Sequence, residues 1–371
     1  MHPLDYKGCI FNALREVECM NVVEQYNLTL QIEVLKEQSA ETLARLCNLV
    51  EGSGTSDCVE LLKAYSHIVN TELYLATSIH ELDILKSDMV KLENTIKESL
   101  AQASHDISDI KETGDVQAIE SYSSEDFDKA LERTIDFLTF NKNISSTPRA
   151  VILGGQSGAG KTTIHRVKML ESKGNYIVID GDTYRAQHPY FRELQEKYGV
   201  DSVDYTKMFA GKMVEAVIDK LSSLKYNLII EGTLRSAAVP INTATLLKSK
   251  GYTVDFCLIA TKPELSYLTT QLRYLEMMIV DPLQARATPK DHHDGIVKAL
   301  VANITELEQS GVFETIQVYK RNLEQVYNSK LCTESVGTVV DKILFGPWTS
   351  DEYTLLEVSK SQEQALRAKL P

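Results

Sequence analysis

One eight-residue stretch constrains this chain more than any other. Gly155-Gln156-Ser157-Gly158-Ala159-Gly160-Lys161-Thr162 fits the pattern G-x-x-x-x-G-K-[ST] at every position. It follows a short apolar run at residues 150–153 and opens a helical pattern, so it reads as a strand–loop–helix unit. Glycines let the backbone curl until its N–H groups converge on a phosphate, and the helix N-terminus adds partial positive charge there. In such a loop the Lys161 ammonium bridges the β- and γ-phosphates and the Thr162 hydroxyl ligates Mg²⁺. Residues 155 to 163, Thr163 included, are therefore the expected ATP-binding segment, and ATP and Mg²⁺ the expected cofactors.

Further apolar runs follow at residues 176–180, 227–231 and 254–260, with a fifth at 316–319, and helical stretches lie between them. Apolar strands alternating with helices predict an α/β fold in which a parallel sheet is covered by helices on both faces. The front of the chain reads differently. Residues 1–104 show no strand pattern and contain one proline, Pro3. Apolar positions recur at helical spacing from Leu28 to Leu49, and again along residues 57–77 and 79–101, which predicts an all-α three-helix bundle. Residues 105–123 are polar and read as a linker. The expected organisation is a helical domain at 1–104, the linker, and the α/β domain at 124–371. Residues 1–115 hold 20 Asp and Glu against 9 Lys and Arg, and so carry −11 of the chain's −13. An acidic front repels nucleic acid and suits a basic protein surface. Six scattered cysteines without C-x-x-C spacing, no basic and apolar leader, and no membrane-length apolar run predict a cytoplasmic chain with neither a membrane nor a nucleic-acid partner.

Two acidic motifs leave predicted strands. Asp180-Gly181-Asp182 places carboxylates at the sheet edge where ligands sit. Asp182, further along the loop, is the better candidate to take a proton from a substrate hydroxyl. Glu231-Gly232-Thr233-Leu234-Arg235 puts an acid at the position that handles Mg²⁺ or its waters, with Thr233 and Arg235 as candidate substrate contacts. Arg273 and Arg286 are cations of the kind that offset charge on a transferring phosphoryl group. His292 and His293 are helix neighbours that point apart, so they suggest no metal site.

Together these motifs, in this order, resemble the zeta toxin family, including its PezT branch, over residues 118–330. The similarity extends to Gln187-His188-Pro189, to Val239-Pro240-Ile241-Asn242 and to Arg286-Ala287-Thr288-Pro289. It implies a P-loop kinase-like fold and ATP-dependent phosphorylation of the 3′-hydroxyl of UDP-N-acetylglucosamine, which drains a peptidoglycan precursor. By the same match Asp182 is the base, Lys161 and Thr162 serve ATP and Mg²⁺, Glu231 joins Thr162 at the metal, Glu215, Glu231, Thr233 and Arg235 form the sugar-nucleotide pocket, and Arg273 and Arg286 face the phosphates. Leu234 departs from the small residue expected there. The stretch from Tyr26 to Glu37 is similar to the toxin-binding helices of PezA-type antitoxins, without their helix-turn-helix DNA-binding part. This implies a front helix docked on the nucleotide site in cis, with Glu33, Lys36 and Glu37 as inhibitory contacts. A P-loop kinase for another small-molecule hydroxyl, or a silent docked toxin acting as a scaffold, are the alternative readings.

Overall fold

The computed structural model describes residues 20–51, 56–104, 119–283 and 285–370; most of the expected linker lies outside them. The front forms α1 (Val22–Glu51), α2 (Ser56–His67), a π-helical turn (Ile68–Glu72), α3 (Leu73–Leu75) and α4 (Ile79–Ser104). Leu28, Ile32, Leu46, Tyr65, Leu82, Met89 and Ile96 interdigitate as its core. The sequence predicts one unbroken second helix, whereas the π turn interrupts it. There Thr71 packs on Gly174, whose lack of a Cβ leaves room, and accepts a hydrogen bond from Lys142 Nζ at 2.8 Å.

Helix α5 (Ser124–Thr139) opens with a capping box: the Ser123 hydroxyl accepts from Asp126 N and the Asp126 carboxylate from Ser123 N, each at 3.0 Å. It joins the two parts. Phe137 enters the front core, while Ala130, Ile135 and Leu138 enter the main one.

The α/β part runs β1 (Arg149–Gly154), α6 (Lys161–Glu171), β2 (Tyr176–Ile179), α7 (Gly181–Tyr184), α8 (Phe191–Tyr198), α9 (Ser202–Ser223), β3 (Asn227–Ile230), α10 (Ala238–Ser249), β4 (Thr253–Ile259), α11 (Pro263–Val280), α12 (Lys290–Ser310), β5 (Ile316–Tyr319), β6 (Gln325–Asn328), α13 (Val336–Phe345) and α14 (Ser350–Arg367). Strand order is β2-β3-β1-β4-β5-β6. β1 to β5 are parallel, and all of β1 except Arg149 is buried, as a strand covered on both faces requires. The expectation of an all-parallel sheet needs one correction: β6 is antiparallel to β5. Too few residues separate them for a crossover, so a hairpin is the one connection available.

Helix α1 lies against α6, α7, α11 and α14, across the edge of the sheet where β1, β2 and β3 end. Helix α14, whose role the sequence leaves open, packs along α11 and reaches α1. Tyr26, Leu30, Leu265, Leu272 and Leu355 form a shared apolar cluster there.

Candidate active site

Strand order brings three functional tips side by side. The loop after β1, the Asp180 turn after β2 and Glu231 after β3 occupy adjacent positions because β3 lies between β1 and β2. The phosphate-binding loop holds Gly155, Gly158 and Gly160 at φ +141°, +73° and +100°, a region that L side chains avoid. At Gly158 a Cβ would meet the Ser266 carbonyl oxygen at 2.0 Å. Gly160 is the N-cap of α6, and Lys161, Thr162 and Thr163 form its buried first turn. The Gln156 side-chain amide donates to Thr261 O at 2.5 Å and pins the loop to the end of β4.

The carboxylates respond to the crowding. Lys161 Nζ donates to Gly155 O at 3.3 Å and stands 3.6 Å from Glu231. Burial and the Asp180 carboxylate push Glu231 up to about 7, against the pull of Lys161 and Lys36. His165, fully buried on α6, has Nε2 3.3 Å from Glu231 but no hydrogen-bond partner among the described residues, and burial followed by the Lys36 charge holds it well below the usual histidine range. Asp182 lies in the first turn of α7, bonded to Arg185 at 2.9 Å and 3.7 Å from Arg286. Burial works to raise its carboxyl, but Arg286 and Arg185 outweigh that and hold it well below the usual carboxylate range.

Helix α1 fills the cleft. Lys36 donates to Asp180 at 2.5 Å with both side chains largely buried. Burial works to lower the Lys36 ammonium, yet Asp180 carries it well above its ordinary value, and Lys36 in turn holds Asp180 below its own. Glu37 takes Arg286 at 2.9 Å and Arg273 at 3.3 Å; Glu33 is 4.0 Å from Arg273. Thr29 and Thr163 share a hydroxyl contact at 3.3 Å. A cavity of about 90 Å³ remains, lined from α1 by Glu33, Lys36 and Glu37 and from the sheet edge by Ser157, Gly158, Gly160, Lys161, Thr162, Asp180, Asp182, Glu231, Thr233 and Arg273.

Two expected substrate residues stay apart from this group. Glu215 on α9 and Arg235 after β3 are exposed and do not line the cavity. Leu234 is buried in the sheet core with φ +55°, its carbonyl accepting from Asn303, so it shapes the core and not this cavity wall. Sequence reasoning missed Arg321, between β5 and β6. Its Nη1 donates to Gly158 O at 2.7 Å, and its guanidinium lies 4.5 Å from the Tyr26 ring centroid. A lone arginine in a polar turn carries no local signal of that role. Arg185 was legible in principle, three residues after Asp182 and directly following the same short helix.

A parallel-stranded sheet with a phosphate-binding loop at its centre, capped by a helical bundle whose charges enter the cleft, defines a P-loop kinase-like toxin domain joined to an antitoxin domain. The family comparison agrees: the zeta toxin model matches residues 133–331, and the bacterial epsilon antitoxin model matches residues 24–99. The chain belongs to the zeta toxin family. It is 55% identical over 251 residues to Toxin PezT of Streptococcus pneumoniae, covering 68% of this chain and 99% of that one. It is 41% identical to Toxin zeta of Streptococcus agalactiae over 57% of this chain and 74% of that one. A solved chain from a characterisation of the PezAT chromosomal toxin–antitoxin system of S. pneumoniae superposes with a TM-score of 0.64 at 52% identity, over 67% of this chain and all of that one. Among the described residues no helix is long and apolar enough to cross a membrane.

Proposed function

We propose that the toxin part is an ATP-dependent kinase acting on the 3′-hydroxyl of UDP-N-acetylglucosamine, and that α1 keeps it silent in cis. The observation that carries this reading is the seating of Lys36 and Glu37 on the groups that would otherwise serve the reaction. Lys36 occupies Asp180, and Glu37 holds both Arg273 and Arg286.

With α1 displaced, the loop amides and Lys161 hold the triphosphate of ATP. Asp182 takes the proton of the attacking sugar hydroxyl. That oxygen bonds to the γ-phosphorus, the bond from phosphorus to the β–γ bridging oxygen breaks, and its electron pair leaves with ADP. Arg273 and Arg286 offset charge on the phosphoryl oxygens in flight. The Thr162 hydroxyl and Glu231 carboxylate are hard oxygen donors on adjoining tips, a set that fits Mg²⁺. When bound, the ion neutralises charge between the β- and γ-phosphates. Thr233, which lines the cavity, would contact the sugar nucleotide; Glu215 and Arg235 would reach it only by moving inward.

The test uses residues 119–371, the part equivalent to relatives that match over nearly their whole length. Incubated with Mg-ATP and UDP-N-acetylglucosamine, it should give a product heavier by one phosphoryl group in mass spectrometry. The full chain should give little, and Lys161→Ala or Asp182→Ala in the shorter form none. ATP consumed only with a different hydroxyl acceptor would replace the substrate. Nucleotide bound without turnover would replace the enzyme reading by a scaffold.

A further inference from the structure

We propose that Arg321 is the residue on which the purine base of the nucleotide stacks, and that Tyr26 holds the position of that base in the docked state. The proposal rests on reading the loop after β1 as an ATP site, and adds to it a residue and a mechanism of occlusion.

Four observations meet here. Arg321 is tied to the loop through Gly158 O, and its Cγ lies 3.5 Å from where a Cβ on Gly160 would stand, so it flanks the nucleotide path directly. Its guanidinium presents a face to an aromatic ring at 4.5 Å, and no carboxylate pairs with it among the described residues. A half-buried guanidinium held by one carbonyl and one π-face is poorly compensated for lost hydration, and burial lowers its affinity for the proton. Flat stacking is what the guanidinium does better than an ammonium. Beside it lies a slot of about 100 Å³, lined by the apolar Ala260, Leu265 and Leu355 and by polar residues that include Thr261, Asn322 and Glu352. Tyr26 is buried against Leu265 and Leu355, which also line that slot, and its hydroxyl accepts from Ser359 at 3.0 Å and faces Thr269 at 3.4 Å.

The order of contacts along α1 supplies the geometry. Tyr26 meets Arg321, Thr29 meets Thr163, Lys36 meets Asp180 and Glu37 meets the two arginines. At a rise of about 1.5 Å per residue, Tyr26 and Lys36 are ~15 Å apart along the axis. The aromatic ring thus lies at one end of the loop and the ammonium at the other, the order in which a nucleoside triphosphate would lay base, α-phosphate and γ-phosphate along the same groove.

The test keeps the full chain and opens the site by reversing charge, with Lys36→Glu against Asp180 and Glu37→Arg against Arg273 and Arg286. Calorimetric titration then compares ATP with inorganic tripolyphosphate, before and after adding Arg321→Ala. ATP affinity should fall about tenfold or more, the scale of one lost stacking partner, while tripolyphosphate affinity should hold within about twofold. In the otherwise unaltered chain, Tyr26→Ala should raise ATP affinity. Equal losses for both ligands would make Arg321 a brace for the loop and overturn the proposal, as would no loss for either. An opened chain that binds tripolyphosphate but not ATP sinks the base site alone. One that binds neither removes the ATP reading and this inference with it.

Discussion

At the scale of single residues, the site depends on positions where one atom too many is decisive. Gly158 is the clearest: its φ of +73° disfavours any side chain, and the Ser266 carbonyl stands where a Cβ would go. Gly158→Ala must push the loop off α11, so nucleotide affinity in the isolated toxin part should fall by at least a hundredfold with little change in far-ultraviolet circular dichroism. Wild-type affinity in that variant would show that the loop tolerates the shift. His188, one of the residues that carried the family resemblance, has a packing role. It is 2% exposed, wedged against Tyr122 and Phe209, and accepts at Nδ1 from Tyr190 N. Burial lowers it to about 4. The folded chain therefore takes up this proton later than the unfolded chain, whose histidines titrate near ~6.5. Stability from the neutral ring is present above pH ~6.5 and is lost as pH falls toward 4, by up to ~3 kcal/mol. Melting temperatures of wild type and His188→Phe should diverge in the variant's favour between pH 7 and 4.5. A gap that does not move with pH would place the titration elsewhere.

At the scale of elements, α1 is the part on which the proposed inhibition turns, and its charge pattern shows how it docks. Glu33, Glu37, Glu41 and Glu51 meet Arg273, Arg286, Arg192 and Arg133 of the toxin part, with Glu37 shared by two arginines. Part of the excess of acid at the front of the chain thus faces arginines of the toxin part. Breaking one largely buried pair costs about 3–5 kcal/mol, so Glu37→Arg should cut hydrogen-exchange protection of α1 by about a hundredfold or more. Arg45→Glu, which opposes the exposed pair with Glu93, should change it by less than about fivefold. Equal effects would mean that docking rests on apolar contact alone. The same helix shows what the sequence made legible. Its apolar periodicity and the apolar runs of β1 to β4 were plain because these elements are buried along their length. β6 was not, since Gln325-Val326-Tyr327-Asn328 is a polar edge pair with one buried side chain, Tyr327. The phosphate-binding loop, Asp182 and Glu231 were readable because each sits at a strand tip or in a local motif, whereas Arg273, inside α11, and Arg286, before α12, stood out only through the family resemblance. Arg321 was not, because its partners Gly158 and Tyr26 are 163 and 295 residues away in the chain and only the fold brings them together.

At the scale of the whole molecule, fusion of an antitoxin domain to the toxin domain changes the law that the proposed inhibition would obey. Separate proteins dock according to their concentrations, so dilution frees the toxin. A tether instead supplies an effective concentration on the order of millimolar, set by linker length and not by dilution. Docking of micromolar strength then leaves only about 0.1% of molecules open at any protein concentration. The extended contact strengthens this further, because α1 covers the site while α3 and the π turn grip α6 and Gly174. Arg166 of α6, fully buried, donates to Ala76 O at 2.6 Å at the end of α3. A protease site inserted between residues 104 and 119 separates the tether from the contacts. The intact chain should show the same low ATP turnover per molecule from nanomolar to micromolar concentration. After cleavage, turnover per molecule should rise on dilution, with a midpoint at the docking constant, and fall again on concentration. If cleavage changes nothing down to nanomolar protein, the bundle and sheet form one cooperative body and the linker is dispensable to inhibition. If the intact chain itself activates on dilution, the silencing helix comes from a neighbouring molecule and not from the same chain.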